Sequence, residues 1–325
     1  MTYAKSIAEW GHYPPVNNNI LINPAFTVKQ RGDVIQHEGL DSTFGPDRWW
    51  VIGKDAVGSS KVESSTKVDT VTGVNKLVVE TPNATDSAYT FQNIEAVNIL
   101  GMYGKEMTFS FSYSDTGGSG VPKVLIRSWD SSNPETVKTL FDAIPTSLGN
   151  NRWTCTFTLS TADGTIPPRN KRGMQVSVYA NEDNIAPNEW SVWETKLEVG
   201  SVATPFIARS YGEELALCQR YFQKSQTGSG VVFGVNTSTI RAEYNFRNVV
   251  TMRASPTVSV KAVGNFEVYS WNGNARKVAT SITSNVTDPI SYIVIVNWSS
   301  AIGSIGDGVS LDAKNGDVIS VDAEL

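Results

Sequence analysis

Met107-Thr-Phe-Ser-Phe-Ser-Tyr113 sets a large apolar or aromatic side chain at every second position, with a small hydroxyl residue between each pair. Period two is the signature of a strand with one face in a core and one face outward. The same reading extends to Asn75-Lys-Leu-Val-Val-Glu80, Lys123-Val-Leu-Ile-Arg-Ser-Trp129, Trp153-Thr-Cys-Thr-Phe-Thr-Leu159 and Met174-Gln-Val-Ser-Val-Tyr179, all rich in β-branched and aromatic residues. Turn clusters stand between them: Asp115-Thr-Gly-Gly-Ser-Gly120, Leu148-Gly-Asn-Asn151, Ile166-Pro-Pro168 and Asn181-Glu-Asp-Asn184. Short strands at roughly even spacing, with no helical pattern between them, predict an antiparallel sandwich and not a doubly wound sheet. We place a jelly-roll β-sandwich at residues 19–209.

Ser210-Tyr-Gly-Glu-Glu-Leu-Ala-Leu-Cys-Gln-Arg-Tyr-Phe-Gln-Lys224 is the one clear helical pattern. Ser210 with Glu213 fits a capping box. Tyr211, Leu215, Cys218 and Phe222 fall at i, i+4, i+7 and i+11, which is one helix face. That stripe has two readings: it packs on its own chain's sandwich, or three such helices meet on a threefold axis. After a break at Ser225-Gln-Thr-Gly-Ser-Gly230, further strand patterns follow at Val231–Val235, Ile240–Phe246, Thr257–Val263, Phe266–Tyr269, Tyr292–Trp298 and Asp317–Val321. The apolar run from Tyr292 to Val296 predicts a strand with one face against another subunit. The expected organisation is all-β: an N-terminal anchoring arm (1–18), the jelly roll (19–209), a connecting helix (210–225) and a small C-terminal tip β-sandwich (226–325).

Composition removes whole classes of function. The chain has 325 residues, enough for two domains, with 40% hydrophobic and 18% charged residues. Its net charge is −5 and no lysine or arginine run stands out, so a nucleic-acid surface is not expected. No apolar run reaches the ~18–20 residues of a bilayer span, and the first residues lack the apolar core of a signal peptide. Two cysteines, Cys155 and Cys218, do not make a disulfide scaffold and read as reduced, buried thiols. Two histidines, His12 and His37, leave little room for histidine triads or histidine-rich metal sites.

Several blocks together resemble tail-fibre and related receptor-binding proteins of tailed bacteriophages. They are Asn19-Ile-Leu-Ile-Asn-Pro-Ala-Phe-Thr-Val-Lys-Gln-Arg-Gly32, Asp47-Arg-Trp49, Asn75-Lys-Leu77, Val97-Asn-Ile-Leu-Gly101 and Leu197-Glu-Val-Gly-Ser-Val-Ala-Thr-Pro-Phe206. The last runs into Tyr211-Gly-Glu-Glu-Leu-Ala-Leu-Cys-Gln-Arg-Tyr221; further on, Val249–Val258 and the ending Asp322-Ala-Glu-Leu325 look like the tip that follows this helix. The resemblance implies a jelly roll like a carbohydrate-binding module, a homotrimer, a bacterial surface glycan as partner, other virion proteins as partners of the arm, and a place on the virion surface. It departs from long fibres in having no shaft and no sizeable tail-docking domain. Modules of this kind often carry a structural calcium ion. No acidic loop here has the ligand spacing, and no Cys/His metal spacing exists, so no cofactor is expected.

Sugar rings present apolar C–H faces and a rim of hydroxyls, which aromatic side chains and oriented Asp, Asn and Arg groups match. Nine tryptophans are available. Trp49 and Trp153, flanked by strand residues, read as structural. Trp190 and Trp193, three apart on one strand, face opposite sides, so one belongs to the core. Trp271 is the exposed candidate, because Asn272-Gly273 is a hairpin signal that projects its loop outward. Trp271, Asn272, Asn274 and Arg276 are therefore the candidate ligand site, with Asp307 and Asp288 in neighbouring loops. Tyr211, Leu215, Cys218 and Phe222 are the candidate trimer interface. Arg31-Gly32-Asp33 reads as a turn, the glycines at 228, 230 and 234 as a linker, and Asn83-Ala-Thr85 as an acceptor only in a secreted chain.

Three functions remain: a non-catalytic trimeric adhesin; a structural virion piece such as a head fibre, decoration protein or tail adaptor; and a polysaccharide depolymerase, which would need two carboxylates ~5–9.5 Å apart in a cleft.

Overall fold

In the computed structural model, residues 18–32, 34–38, 43–54, 61–81, 87–116, 120–129, 137–161, 164, 166–169, 171–180, 188–224, 232–286, 288–314 and 319–324 are described. The anchoring arm up to residue 17, the turn at 181–184, the linker at 225–230 and the acceptor at 83–85 lie outside them. The chain forms two compact units, 1–214 and 215–324.

The first unit carries, among the described residues, thirteen strands: β1 (Val34–Glu38), β2 (Thr43–Phe44), β3 (Trp50–Lys54), β4 (Lys61–Val68), β5 (Asn75–Thr81), β6 (Ser87–Glu95), β7 (Glu106–Asp115), β8 (Pro122–Trp129), β9 (Val137–Ala143), β10 (Thr146–Gly149), β11 (Arg152–Thr158), β12 (Arg172–Ala180) and β13 (Asn188–Val199). They make one sheet in the order β1-β4-β5-β13-β7-β11-β10 and a second in the order β2-β3-β6-β12-β8-β9, every pairing antiparallel. This is the expected jelly-roll sandwich. The alternation that opened the sequence reading sends Met107, Phe109, Phe111 and Tyr113 into the core. There they meet Leu77, Val79, Trp190 and Val192 from the same sheet and Val51, Ile94, Val124, Ile126, Met174 and Val176 from the other. Trp49 and Trp190 are fully buried and Trp153 packs against this core, as read from the sequence. The predicted turn before β11 holds Gly149, Asn150 and Asn151 at φ of 84°, 49° and 61°, a left-handed run that only glycine and asparagine enter cheaply.

Two buried polar clasps draw on the blocks at 19–32, 47–49, 197–206 and 211–221. Asn23, at φ 54° and wholly buried, donates to the carbonyls of Val28 (2.8 Å) and Asp47 (3.0 Å) and accepts from the Val28 N–H (3.0 Å). Its own carbonyl accepts from the Trp49 indole, and its N–H donates to Glu214. Arg209 joins by donating to the carbonyls of Leu21 and Asn19 and pairing with Glu214 at 3.1 Å. The second clasp is the buried Lys196–Glu198 ion pair at 3.2 Å, both side chains under 5% exposed. Lys196 donates to the Thr204 hydroxyl and the Pro205 carbonyl, while Glu198 accepts from Thr204 and from Asn18. Residues 204–205 are thereby fastened to β13.

The helix α1 (Tyr211–Gln219) starts as its capping box predicts: the Glu213 carboxylate accepts from the Ser210 N–H and hydroxyl. It ends five residues earlier than the pattern suggests. The Gln223 side chain donates to the Gln219 carbonyl, and the chain turns into β14 (Phe222–Lys224), which pairs with β23 (Ile319–Asp322). Phe222 is therefore a strand residue. Cys218 and Phe222, read as trimer-interface candidates, are buried by this chain alone; Leu215 is half-buried and Tyr211 exposed. The boundary between the two units falls inside α1, between Glu214 and Leu215.

The second unit sets a three-stranded sheet β14-β23-β17 against a seven-stranded sheet β19-β18-β22-β15-β16-β21-β20. The remaining strands are β15 (Val232–Ser238), β16 (Arg241–Arg247), β17 (Thr257–Val260), β18 (Phe266–Ser270), β19 (Ala275–Val278), β20 (Ser281–Asn285), β21 (Ser291–Asn297) and β22 (Gly308–Ala313). Tyr244, Phe266, Val268, Val294, Val296, Leu311, Ile319 and Val321 form the core between them. Burial alternates along β21: Tyr292, Val294 and Val296 face inward, and Ile293 and Ile295 are half-exposed on the outer face.

Both cysteines are free and buried. Burial pushes the Cys155 thiol up to about 12, so almost no thiolate exists at neutral pH. Native protein should resist iodoacetamide at Cys155 and react only after unfolding; prompt native labelling, followed by mass spectrometry, would contradict this packing.

Candidate functional site

The outer face of the seven-stranded sheet is built by register. β22 runs between β18 and β15, and Ser310 is the partner of Tyr269 on one side and of Phe233 on the other. Period two then places Glu267 and Tyr269 of β18, Gly308, Ser310 and Asp312 of β22, and Phe233 and Val235 of β15 on this face. Trp271 continues it past the end of β18. Because Gly308 and Ser310 are small, the flanking rings lie over β22. The Trp271 centroid is 5.5 Å from Tyr269, near edge-on at 73°, and 6.2 Å from Phe233. Trp271 and Phe233 are 57% and 65% exposed, so the three rings form an outward platform. From the core side, the Tyr244 hydroxyl donates to the Ser310 carbonyl (3.3 Å) and fixes the floor; burial and the Asp312 charge push this phenol above its ordinary range.

The predicted hairpin forms, with Trp271-Asn272-Gly273-Asn274 joining β18 to β19. The left-handed residue is Asn274 (φ 47°), so the turn is a four-residue loop and not the two-residue Asn-Gly turn of the sequence signal. Asn274 accepts from the Tyr269 hydroxyl (2.9 Å). Asn272 donates to Asp307 Oδ1 (3.1 Å), and Asp307 Oδ2 accepts from the Ser304 N–H (2.6 Å). Gly303 sits beside this carboxylate at φ 66°; a Cβ there would come within 2.6 Å of Asp307 Oδ2, so the loop closes only around glycine. Arg276 lies 5.2 Å from the Tyr269 centroid, bonded to Asp312 (2.7 Å) and close to Glu267 (3.6 Å). The four predicted residues and Asp307 thus gather at one place. Asp288 instead closes its own turn, accepting from the N–H groups of Ile290 and Ser291. The sequence reading missed Phe233 as a site residue and named Tyr269 only as strand; the available signal was an aromatic on the solvent-facing register of each strand.

A second aromatic face lies on the first unit. Phe44–Trp50, Trp50–Phe91, Phe91–Tyr89 and Tyr89–Tyr179 stand 3.8, 6.0, 5.8 and 6.4 Å apart, a chain of rings across β2, β3, β6 and β12. Lys123 caps its end 5.5 Å from Tyr179, and Gln175 donates to Asn93 on the same face. Trp50, Tyr89 and Tyr179 are half-exposed. Among the described residues no cluster of three or more His, Cys, Asp or Glu is placed to hold a metal ion, and no helix is long and apolar enough to cross a membrane.

No protein-family model matches the chain, and no curated protein matches it. Solved structures resemble it distantly. A putative sugar binding protein from Bacteroides thetaiotaomicron aligns at 10% identity over 56% of this chain and 100% of its own, with a TM-score of 0.37. A structure described as "CBM4 structure and function" aligns at 19% identity over 48% of this chain and 97% of its own, with a TM-score of 0.30. The enzymatically active domain of tailspike protein 4 of bacteriophage CBA120 aligns at 13% identity over 56% of this chain, with a TM-score of 0.31; the match spans 22% of that chain.

Proposed function

We propose that this protein is a non-catalytic glycan-binding adhesin, a homotrimeric receptor-binding piece of a phage virion. The observation that carries the glycan reading is the platform of Trp271, Tyr269 and Phe233, ringed by Asn272, Asn274, Arg276 and Asp307. Exposed rings offer stacking area to sugar C–H faces, and the fixed amides, guanidinium and carboxylate meet hydroxyls. Partners hold these polar groups in place, so little ordering entropy opposes binding. The virion assignment draws on the block from Leu197 to Tyr221 and its tail-fibre likeness. For the trimer, the support is Ile293 and Ile295, half-exposed on the outer face of β21, which a neighbouring copy would cover. Three copies multiply weak single-site contacts by avidity of ~10²–10⁴.

The test is a glycan array and a host surface-polysaccharide binding assay with the full chain. Trp271→Ala should cut binding at least about tenfold, while the thermal midpoint stays within a few degrees because the indole is exposed. Unchanged binding removes the platform from the site. Release of reducing ends from the polysaccharide would make the protein a depolymerase, and a stable monomer in mass photometry would end the trimer.

A further inference from the structure

We infer that the platform selects a sugar bearing a free, protonated amine and turns away acidic sugars; this rests on the glycan reading above. Charge complementarity carries it. The charged groups on this face are Glu267, Asp312, Arg276 and Lys314 at one end and Asp307 at the other, with Arg241 and Glu243 paired to each other at 2.8 Å on β16 and Arg247 exposed on the same strand, two strands over from Asp312. Both cations at the first end are already engaged: Arg276 with Asp312 and Glu267, Lys314 with Glu267 at 2.5 Å. Asp307 differs. Its described partners are neutral, the Asn272 amide and the Ser304 N–H, and no described cation pairs with it. A carboxylate has about four lone-pair sites, so capacity remains for a ligand. Asp307 also precedes Gly308, whose carbonyl accepts from the Trp271 N–H (3.3 Å), which puts the uncompensated negative charge beside the indole.

Aromatic faces attract cations and repel anions approaching the same face. Here that preference and the Asp307 charge act in one direction at one end of one platform. An ammonium on a sugar ring stacked on Trp271 gains from both. A uronate carboxylate stacked on Trp271 meets the like charge of Asp307, while the exposed Arg247 lies in the row of Asp312, at the other end of the platform.

The test is calorimetric titration of the full chain at pH 6 with three probes: a deacetylated chitooligosaccharide, its N-acetylated counterpart and an oligogalacturonate. We expect the deacetylated oligomer to bind roughly five- to tenfold tighter than the acetylated one, and the oligogalacturonate to bind weakest. Asp307→Asn should shrink the ratio between the first two, and added salt should shrink it in the unsubstituted protein as well. That second measurement holds if Asp307→Asn misfolds its loop. Equal or tighter binding of the oligogalacturonate overturns the amine preference and leaves the adhesin intact. Deacetylated-oligomer binding that survives Trp271→Ala unchanged also overturns it, because attraction to the chain's overall negative charge would then suffice. Failure of all three probes, together with failure on the glycan array, removes the glycan reading itself.

Discussion

Asn23→Ala should cost about 3–5 kcal/mol of unfolding free energy, a large share of the 5–15 kcal/mol that a domain has. Two effects add. Alanine strands the Val28 N–H and the Asp47 carbonyl in a dry interior, at ~1–3 kcal/mol for each unmet group. It must also hold φ near 54°, a left-handed conformation that disfavours a Cβ by ~1–2 kcal/mol where no side-chain bond compensates. Asn23→Gly removes the second penalty and keeps the first. Urea unfolding of the full chain should therefore rank glycine about 1–2 kcal/mol above alanine and both below asparagine. Equal variants, each within half a kcal/mol of the parent, would mean that the network around Asn23 is incidental to the fold.

Glu198→Gln is the second large effect, at roughly 3–5 kcal/mol, because it leaves Lys196 buried without its counter-charge. Replacing both partners by apolar residues of similar volume should recover most of that loss. The pH dependence has a fixed sign. Burial alone pushes the Glu198 carboxyl up, but donation from the Thr204 hydroxyl and N–H, Asn18 and Lys196 outweighs it and holds the group below the usual glutamate range. A carboxyl depressed in the folded state contributes stability above its unfolded pKa of about 4.3, and loses it as pH falls through the lower folded value. The gap between parent and Glu198→Gln should be constant from pH 5 to 7 and close below about pH 4. Asp47 works the other way, since burial raises its carboxyl despite the opposing Arg31 charge. For that reason the difference between the two proteins is the quantity to follow, not the parent's own profile.

Alternation was a good guide where a strand has one apolar and one polar face. β5, β7, β8, β11 and β12 were legible for that reason. β4 was not: Lys61-Val-Glu-Ser-Ser-Thr-Lys-Val68 turns Ser64 and Ser65 toward buried surroundings, so no apolar period exists to read. The helix was legible at its start, where Ser210 and Glu213 act locally. Its end was not, since β14 exists through pairing with β23, about a hundred residues later in the chain. The candidate site divides in the same way. Trp271, Asn272, Asn274 and Arg276 share one hairpin and could be read together. Phe233 joins them only because β22 aligns it opposite Tyr269, a register that no local window contains.

The strand order of the first unit also bears on how the protein is made. β13 lies between β5 and β7, yet it leaves the ribosome last of the thirteen strands. Until about residue 199 has emerged, its sheet exists as two fragments with unpaired inner edges, and Asn19 waits for its partners at Thr195 and Leu197. Nascent chains stalled before that point should be protease-sensitive and prone to associate through those edges. The unit would then close late, in one step, when the keystone strand arrives.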